Sequence, residues 1–157
     1  MSFLRFLMLL ALVVWVGGLI FFPVMAGTAF SVLPSAHLAG LVVRRSLVIL
    51  HWMGIVSGVV FLAASITYAR LAQGAFHVCS ARNLLIALML SLTCISQFGI
   101  IPRMDRLREA LRDVASAAIN NPLRIQFDTL HVWSTRIEGT VLLAGLVVTY
   151  LSARRTA

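Results

Sequence analysis

The chain has 157 residues, 61% hydrophobic and 11% charged, with a mean hydropathy of +0.99. A soluble domain carries roughly 45–50% apolar and 25% charged residues, and one of this size has too little interior to hide the excess. That excludes a soluble nucleotide-binding domain, a secreted disulfide scaffold and a disordered tail. At about 20 residues per crossing, the chain has room for four or five membrane helices and little else.

The net charge of +8 comes from 13 arginines and no lysine against five acids. The arginines stand at the ends of apolar runs, where they meet lipid phosphates and anchor helix ends. The charge therefore implies a lipid bilayer as partner and no nucleic acid. Cys79 and Cys94 match no zinc or CxxC spacing, and no disulfide is expected.

The elements follow in chain order. The first apolar run, about 3–26, exceeds the roughly 7–15 residues of a signal-peptide core and reads as a membrane helix. Pro23 kinks it or marks its exit from the hydrocarbon, and Ser31–Ser35 is the turn. The second helix spans about 46–68, with a start as early as Leu38 if Arg44 and Arg45 lie on a helix outside the bilayer. Gln73-Gly74 marks the next loop. The third helix spans about 83–102, capped by Ser80 and ended by Pro102. From Arg103 to Asp113 the apolar residues Met104, Leu107 and Leu111 recur at helical spacing, which predicts a separate amphipathic surface helix supported by Asp105–Arg108 and Glu109–Arg112 pairs. Asn120-Asn121-Pro122 breaks it. The fourth membrane helix spans about 129–151.

The expectation is one all-α domain over residues 1–157, a four-helix antiparallel transmembrane bundle with an amphipathic segment between helices 3 and 4. Both termini and Gly74 then share one face, here face A, and the 103–121 segment lies on the opposite face B. Arginines lean seven to five toward face B, which the positive-inside rule places in the cytoplasm; Arg5 argues the other way.

Polar residues within the runs are few and lopsided. His51, Gln97, His131 and Glu138 all fall in the face B half. At 1.5 Å per residue, His51, Gln97 and His131 come out at one height and Glu138 about two turns deeper. Each shares a helix stripe with small residues, which let membrane helices approach closely; they form the candidate polar cluster. Gly17, Gly18, Gly54, Gly58 and Gly145 are the expected packing positions, and the Gly54–Gly58 face could also support a homo-oligomer. An ionisable residue in a membrane helix points to function, with His131, Arg136 or Arg103 as structural partners for Glu138. Arg136 is expected to snorkel to the headgroups beside Trp133. His51 and His131 are the only candidate ligands for a haem or metal, but no HxxxH or Glu-x-x-His pattern reinforces them; no cofactor and no metal are expected. His37 and His77 read as solvated loop residues. No P-loop, GxSxG or HExxH occurs, so the chain reads as non-enzymatic.

Trp15-Val16-Gly17-Gly18 with Phe21-Phe22-Pro23, Ala29-Phe30 and Ala39-Gly40, then Gln97 and Pro102, then Phe127-Asp128-Thr129-Leu130-His131-Val132-Trp133-Ser134 carry a resemblance. From about Leu9 to Leu151 the chain resembles the small four-helix bacterial membrane domain of unknown function related to the transmembrane protein 205 family. The resemblance implies a multi-pass protein of the bacterial inner membrane without an established reaction. That family often has Asn where this chain has Glu138, so a shared carboxylate mechanism is not implied. The expected function is the handling of a proton, ion or small solute at the face B cluster. The alternatives are a bis-His redox protein and an assembly subunit whose 103–121 loop docks a soluble partner.

Overall fold

A computed structural model describes residues 2–73 and 80–154, with the side chains of Ala72 and Gln73 left out. Gly74, His77, Cys79 and Arg155 lie outside the described residues. Among the described residues five α-helices follow one another: α1 Ser2–Val32, α2 Ala36–Gln73, α3 Ala81–Ile95, α4 Ile101–Leu111 and α5 Pro122–Ala153. A π-helical turn, Ser96–Ile100, joins α3 to α4 without a break. The helical runs Ser2–Val32, Ala36–Leu71, Ala81–Leu111 and Pro122–Ala153 are each long and apolar enough to cross a membrane. The protein is a four-helix antiparallel membrane bundle.

Each of the four crossings is longer than its apolar run predicts, for identifiable reasons. In α1, Pro23 interrupts only the bond to the Leu19 carbonyl, and the helix continues to Val32. The 38 residues of α2 span about 57 Å against a hydrocarbon core of about 30 Å, so its first turns, including His37 and Arg44, stand at face B. Pro102 does not end the third crossing. It lacks the N–H for the Phe98 carbonyl, and the ladder shifts so that Ile101 N–H bonds Ser96 O, giving the π turn. The amphipathic segment is therefore the continuation of the third crossing. It stops at Arg112, the one described non-glycine residue with positive φ, 56°. Asn120-Asn121-Pro122 is a start signal: Asn121 accepts from Leu123 N–H at 2.9 Å and Pro122 occupies the first helical position. That start puts α5 seven residues ahead of the predicted boundary at 129.

The face A half holds the hydrophobic core. Trp15 is 2% exposed, and Phe61, Ile86, Met89, Val141 and Val148 are fully buried around it. Glycines make the room. A Cβ on Gly58 would stand 2.6 Å from Leu90 and 2.8 Å from the Trp15 ring, and one on Gly54 would strike the same indole. Gly18 receives Leu50, and Gly145 receives Val16 at 2.8 Å. Gly17 does not belong with them: a Cβ there meets nothing within 4 Å. Because Trp15 of α1 fills the Gly54–Gly58 groove, that groove is an internal contact. A second copy of the chain would need another face.

At face A, Arg5 donates to the Tyr68 hydroxyl and Ser65 donates to Asn83 Oδ1 at 2.8 Å. At face B, Arg44 of α2 grips Asp105 of α4 through Nε at 2.7 Å and through Nη2. Asp105–Arg108 forms at 3.7 Å, whereas no Glu109–Arg112 ion pair occurs among the described residues. His37, in the first turn of α2, is 3.8 Å from Asp113 and is not a free loop residue.

Two kinds of glycine should respond differently to substitution. Gly54→Leu should lower the melting temperature in detergent by overpacking against Trp15, a cost of about 1–3 kcal/mol or more. Gly40→Leu, where a Cβ meets nothing within 4 Å, should stay within about 0.5 kcal/mol of the parent. Equal losses at the two positions would contradict the Trp15 packing.

Candidate functional site: a buried His–Gln–Glu cluster at the floor of a cavity

His51 is 1% exposed and sits between two partners from other crossings. Its Nδ1 lies 2.8 Å from Oε1 of Gln97, on the π turn, and its Nε2 lies 2.6 Å from Oε1 of Glu138 on α5. Gln97 reaches the ring from the widened turn that Pro102 imposes. Next to this contact Trp52 meets Phe98 edge-on at 6.1 Å, so a second α2–π contact holds the same register.

His131 is not part of this triad. It stacks on Phe127, with centroids 6.5 Å apart and planes 5° from parallel, and it is exposed. The expected heights fail because α5 begins at Pro122. His131 then stays near face B, and Glu138, about two turns below it, comes level with His51. None of the partners expected for Glu138 is used. Arg136 lies over the Trp133 ring at 5.5 Å instead, on the outer surface.

The triad allows a limited set of proton arrangements. An imidazole with both protons donates to Gln97 Oε1 and Glu138 Oε1 together. With one ring proton, either a protonated Glu138 donates to Nε2 while Nδ1–H donates to Gln97, or Nε2–H donates to the carboxylate and the Gln97 amide turns to donate to Nδ1. The first two arrangements are net neutral and the third carries one negative charge, which hydrocarbon disfavours. Gln97 can satisfy His51 in each of these arrangements.

Glu138 is 16% exposed, and what it faces is a cavity of about 640 Å³. The walls come from α1, α2, α4 and α5 and are mainly apolar, with Phe22, Leu47, Ile101 and Leu142 among them. The face B mouth holds Arg44, Asp105, Arg108 and Arg124. From Arg124 to Glu138 along α5 the depth is about 20 Å. Gly40 and Gly139 line this space, and a Cβ on either would meet nothing within 4 Å. Below the floor lies the packed core of Trp15, Phe61 and Met89.

Both ring nitrogens of His51 are engaged, so as it stands the imidazole has no lone pair for a haem iron, and His131 is at a different height. Among the described residues no three His, Cys, Asp or Glu side chains converge as a metal site. The sequence brings out His51, Gln97 and Glu138 individually. It does not bring out the Arg44–Asp105 pair, whose members are 61 positions apart; a basic doublet followed by an acid on the next face B segment is the only signal.

A double-mutant cycle separates the two histidines. His51→Leu and Glu138→Leu should couple by about 1.5–3 kcal/mol in unfolding from detergent, as for a hydrogen bond to a charged group. His131→Leu and Glu138→Leu should couple by less than about 0.5 kcal/mol. The reverse ranking would contradict the geometry.

A family model for a domain of unknown function, DUF4149, matches residues 10–113, which hold α1 from its third turn onward and α2 to α4, with His51 and Gln97, and leave Glu138 outside. No curated protein and no solved structure matches the chain. With more than half of its 157 residues matched, the chain belongs to the DUF4149 family.

Proposed function

We propose that this DUF4149 protein is a non-enzymatic membrane protein that binds a small solute in the face B cavity, with the His51–Glu138 pair as its recognition and proton-holding element. The observation that carries the reading is the combination of an apolar cavity about 640 Å³ in volume with one hydrogen-bonded carboxylate at its floor. Cavities of roughly 300–1,000 Å³ with mainly apolar walls and few polar groups are the usual form of small-molecule sites. The non-enzymatic part rests on the imidazole, which touches an amide and a carboxylate and activates no hydroxyl or thiol nucleophile. Placement in the bacterial inner membrane and kinship with the transmembrane protein 205 family belong to the same proposal.

The packed core below the floor favours binding over passage, because it lies between the cavity and face A. The redox alternative loses its first ligand when His51 is held at both nitrogens. The assembly-subunit alternative is weakened because Asp105 and Asp113, part of the charge on the 103–121 segment, turn to Arg44 and His37 of the same chain.

One-sided access is directly testable. A single cysteine at Thr135, with Cys79 and Cys94 changed to alanine, should react with a membrane-impermeant thiol reagent only in vesicles oriented so that a cysteine at Ala118 also reacts. Labelling from the opposite face, or from neither, would overturn the reading.

A further inference from the structure

We infer that the occupant of the cavity is a single-chain amphiphile whose monoanionic head, a carboxylate or a phosphodiester, is held by Arg108 and Arg124 at the face B mouth. The inference rests on the solute-binding reading and adds the ligand class and its direction, head at the mouth and chain toward the floor.

The head follows from two donors left over at the mouth. Nη1 of Arg108 and Nε of Arg124 are buried, and neither has a hydrogen-bond partner among the described residues. Each has a carboxylate at ion-pair distance only, Asp105 at 3.7 Å and Asp128 at 3.8 Å. Arg44 already donates to both oxygens of Asp105. Asp128 has a side chain 61% exposed and does not line the cavity. A buried guanidinium N–H without an acceptor costs free energy, which a ligand oxygen recovers.

The two donors belong to one patch. The Arg108 guanidinium lies over the Phe127 ring at 5.4 Å, and Phe127 stands one turn after Arg124 on the same face of α5. Arg124 is held in turn by donating through Nη1 to the Ala117 carbonyl. Both side chains are thus positioned before a ligand arrives, which lowers the cost of binding. The charge points the same way. At the mouth the lining arginines Arg44, Arg108 and Arg124 face Asp105 and Asp113, three against two with His37 neutral. A head with one negative charge and two equivalent oxygens balances the excess and accepts from both donors. An ammonium would add to the excess and bring no acceptor.

The chain follows from what lies below the arginines. The walls there are mainly apolar over the depth of about 20 Å to Glu138. A volume of about 640 Å³ is that of a site for one small molecule, so one chain is the natural occupant. At the floor the His51–Glu138 pair is net neutral in two of its three proton arrangements. An apolar chain end favours those two, because it disfavours an unanswered charge. The arginines hold the head, and the pair reads the far end.

The test uses the protein in phosphatidylcholine nanodiscs at neutral pH, with empty nanodiscs as the blank. It is titrated calorimetrically with dodecanoate, lauroyl lysophosphatidylglycerol, dodecylamine or dodecanol. An anion should show one saturable site, and the tighter of the two identifies the head as carboxylate or phosphodiester. Dodecylamine and dodecanol should bind at least about tenfold more weakly than that anion. Arg108→Gln and Arg124→Gln should each weaken the anion by about tenfold or more, as for loss of a charged hydrogen bond. Gly40 lines the cavity with open space beside it, so Gly40→Leu should also weaken the anion while the melting temperature holds. Dodecylamine binding as tightly as either anion, or anion binding unchanged in both arginine variants, would overturn the head assignment and leave the cavity reading standing. No saturable site for any of the four would overturn both.

Discussion

An imidazole buried in a membrane bundle must have both of its nitrogens satisfied by other helices, and the face B half of this protein is arranged to do so. His51 sits on α2, its partners Gln97 and Glu138 on the π turn and on α5. Three of the four crossings are thereby fixed in height relative to one another. In lipid no hydrophobic force sets that register, so a directional contact at 2.6 Å does what core burial does in water. The Arg44–Asp105 pair repeats the constraint at the interface, where charge is less costly.

The two halves of the bundle are built on opposite uses of small residues. In the face A half, Gly54, Gly58 and Gly145 bring helices together and each receives a side chain, chiefly Trp15. In the face B half, Gly40 and Gly139 receive nothing and leave space. One residue type thus gives a close-packed core at one end and a cavity at the other. The polarity follows the same division, because an ionisable group tolerates burial only where a partner, a proton or a ligand can answer its charge.

Composition and apolar run length carry the helical, membrane-spanning character, since about 20 apolar residues have few other uses. The stripes of small residues bring out His51 and Gln97 as inward-facing. What the sequence conceals is axial registration. Pro102 and Asn120-Asn121-Pro122 read as breakers by local rules, but one is absorbed by a π turn and the other starts α5. Shifting α5 by two turns toward face B raises Glu138 to the level of His51 and lifts His131 out of the cluster. Hydropathy is blind to such a shift, because α5 opens with amphipathic turns that lie at the interface. The contacts joining α2 to α4 and α5 link residues 61 and 87 positions apart, and no local pattern encodes them.

The central claim is that His51, and not His131, is hydrogen-bonded to Glu138. Nitrogen NMR of ring-labelled histidine in bilayers addresses it directly, with the His51 signals assigned from the spectrum of His51→Gln. In the parent protein both His51 nitrogens should show hydrogen-bonded shifts. Glu138→Gln should move the Nε2 resonance of His51 and leave that of His131 in place. A His51 spectrum unchanged by Glu138→Gln, or a shift at His131 instead, would contradict the account.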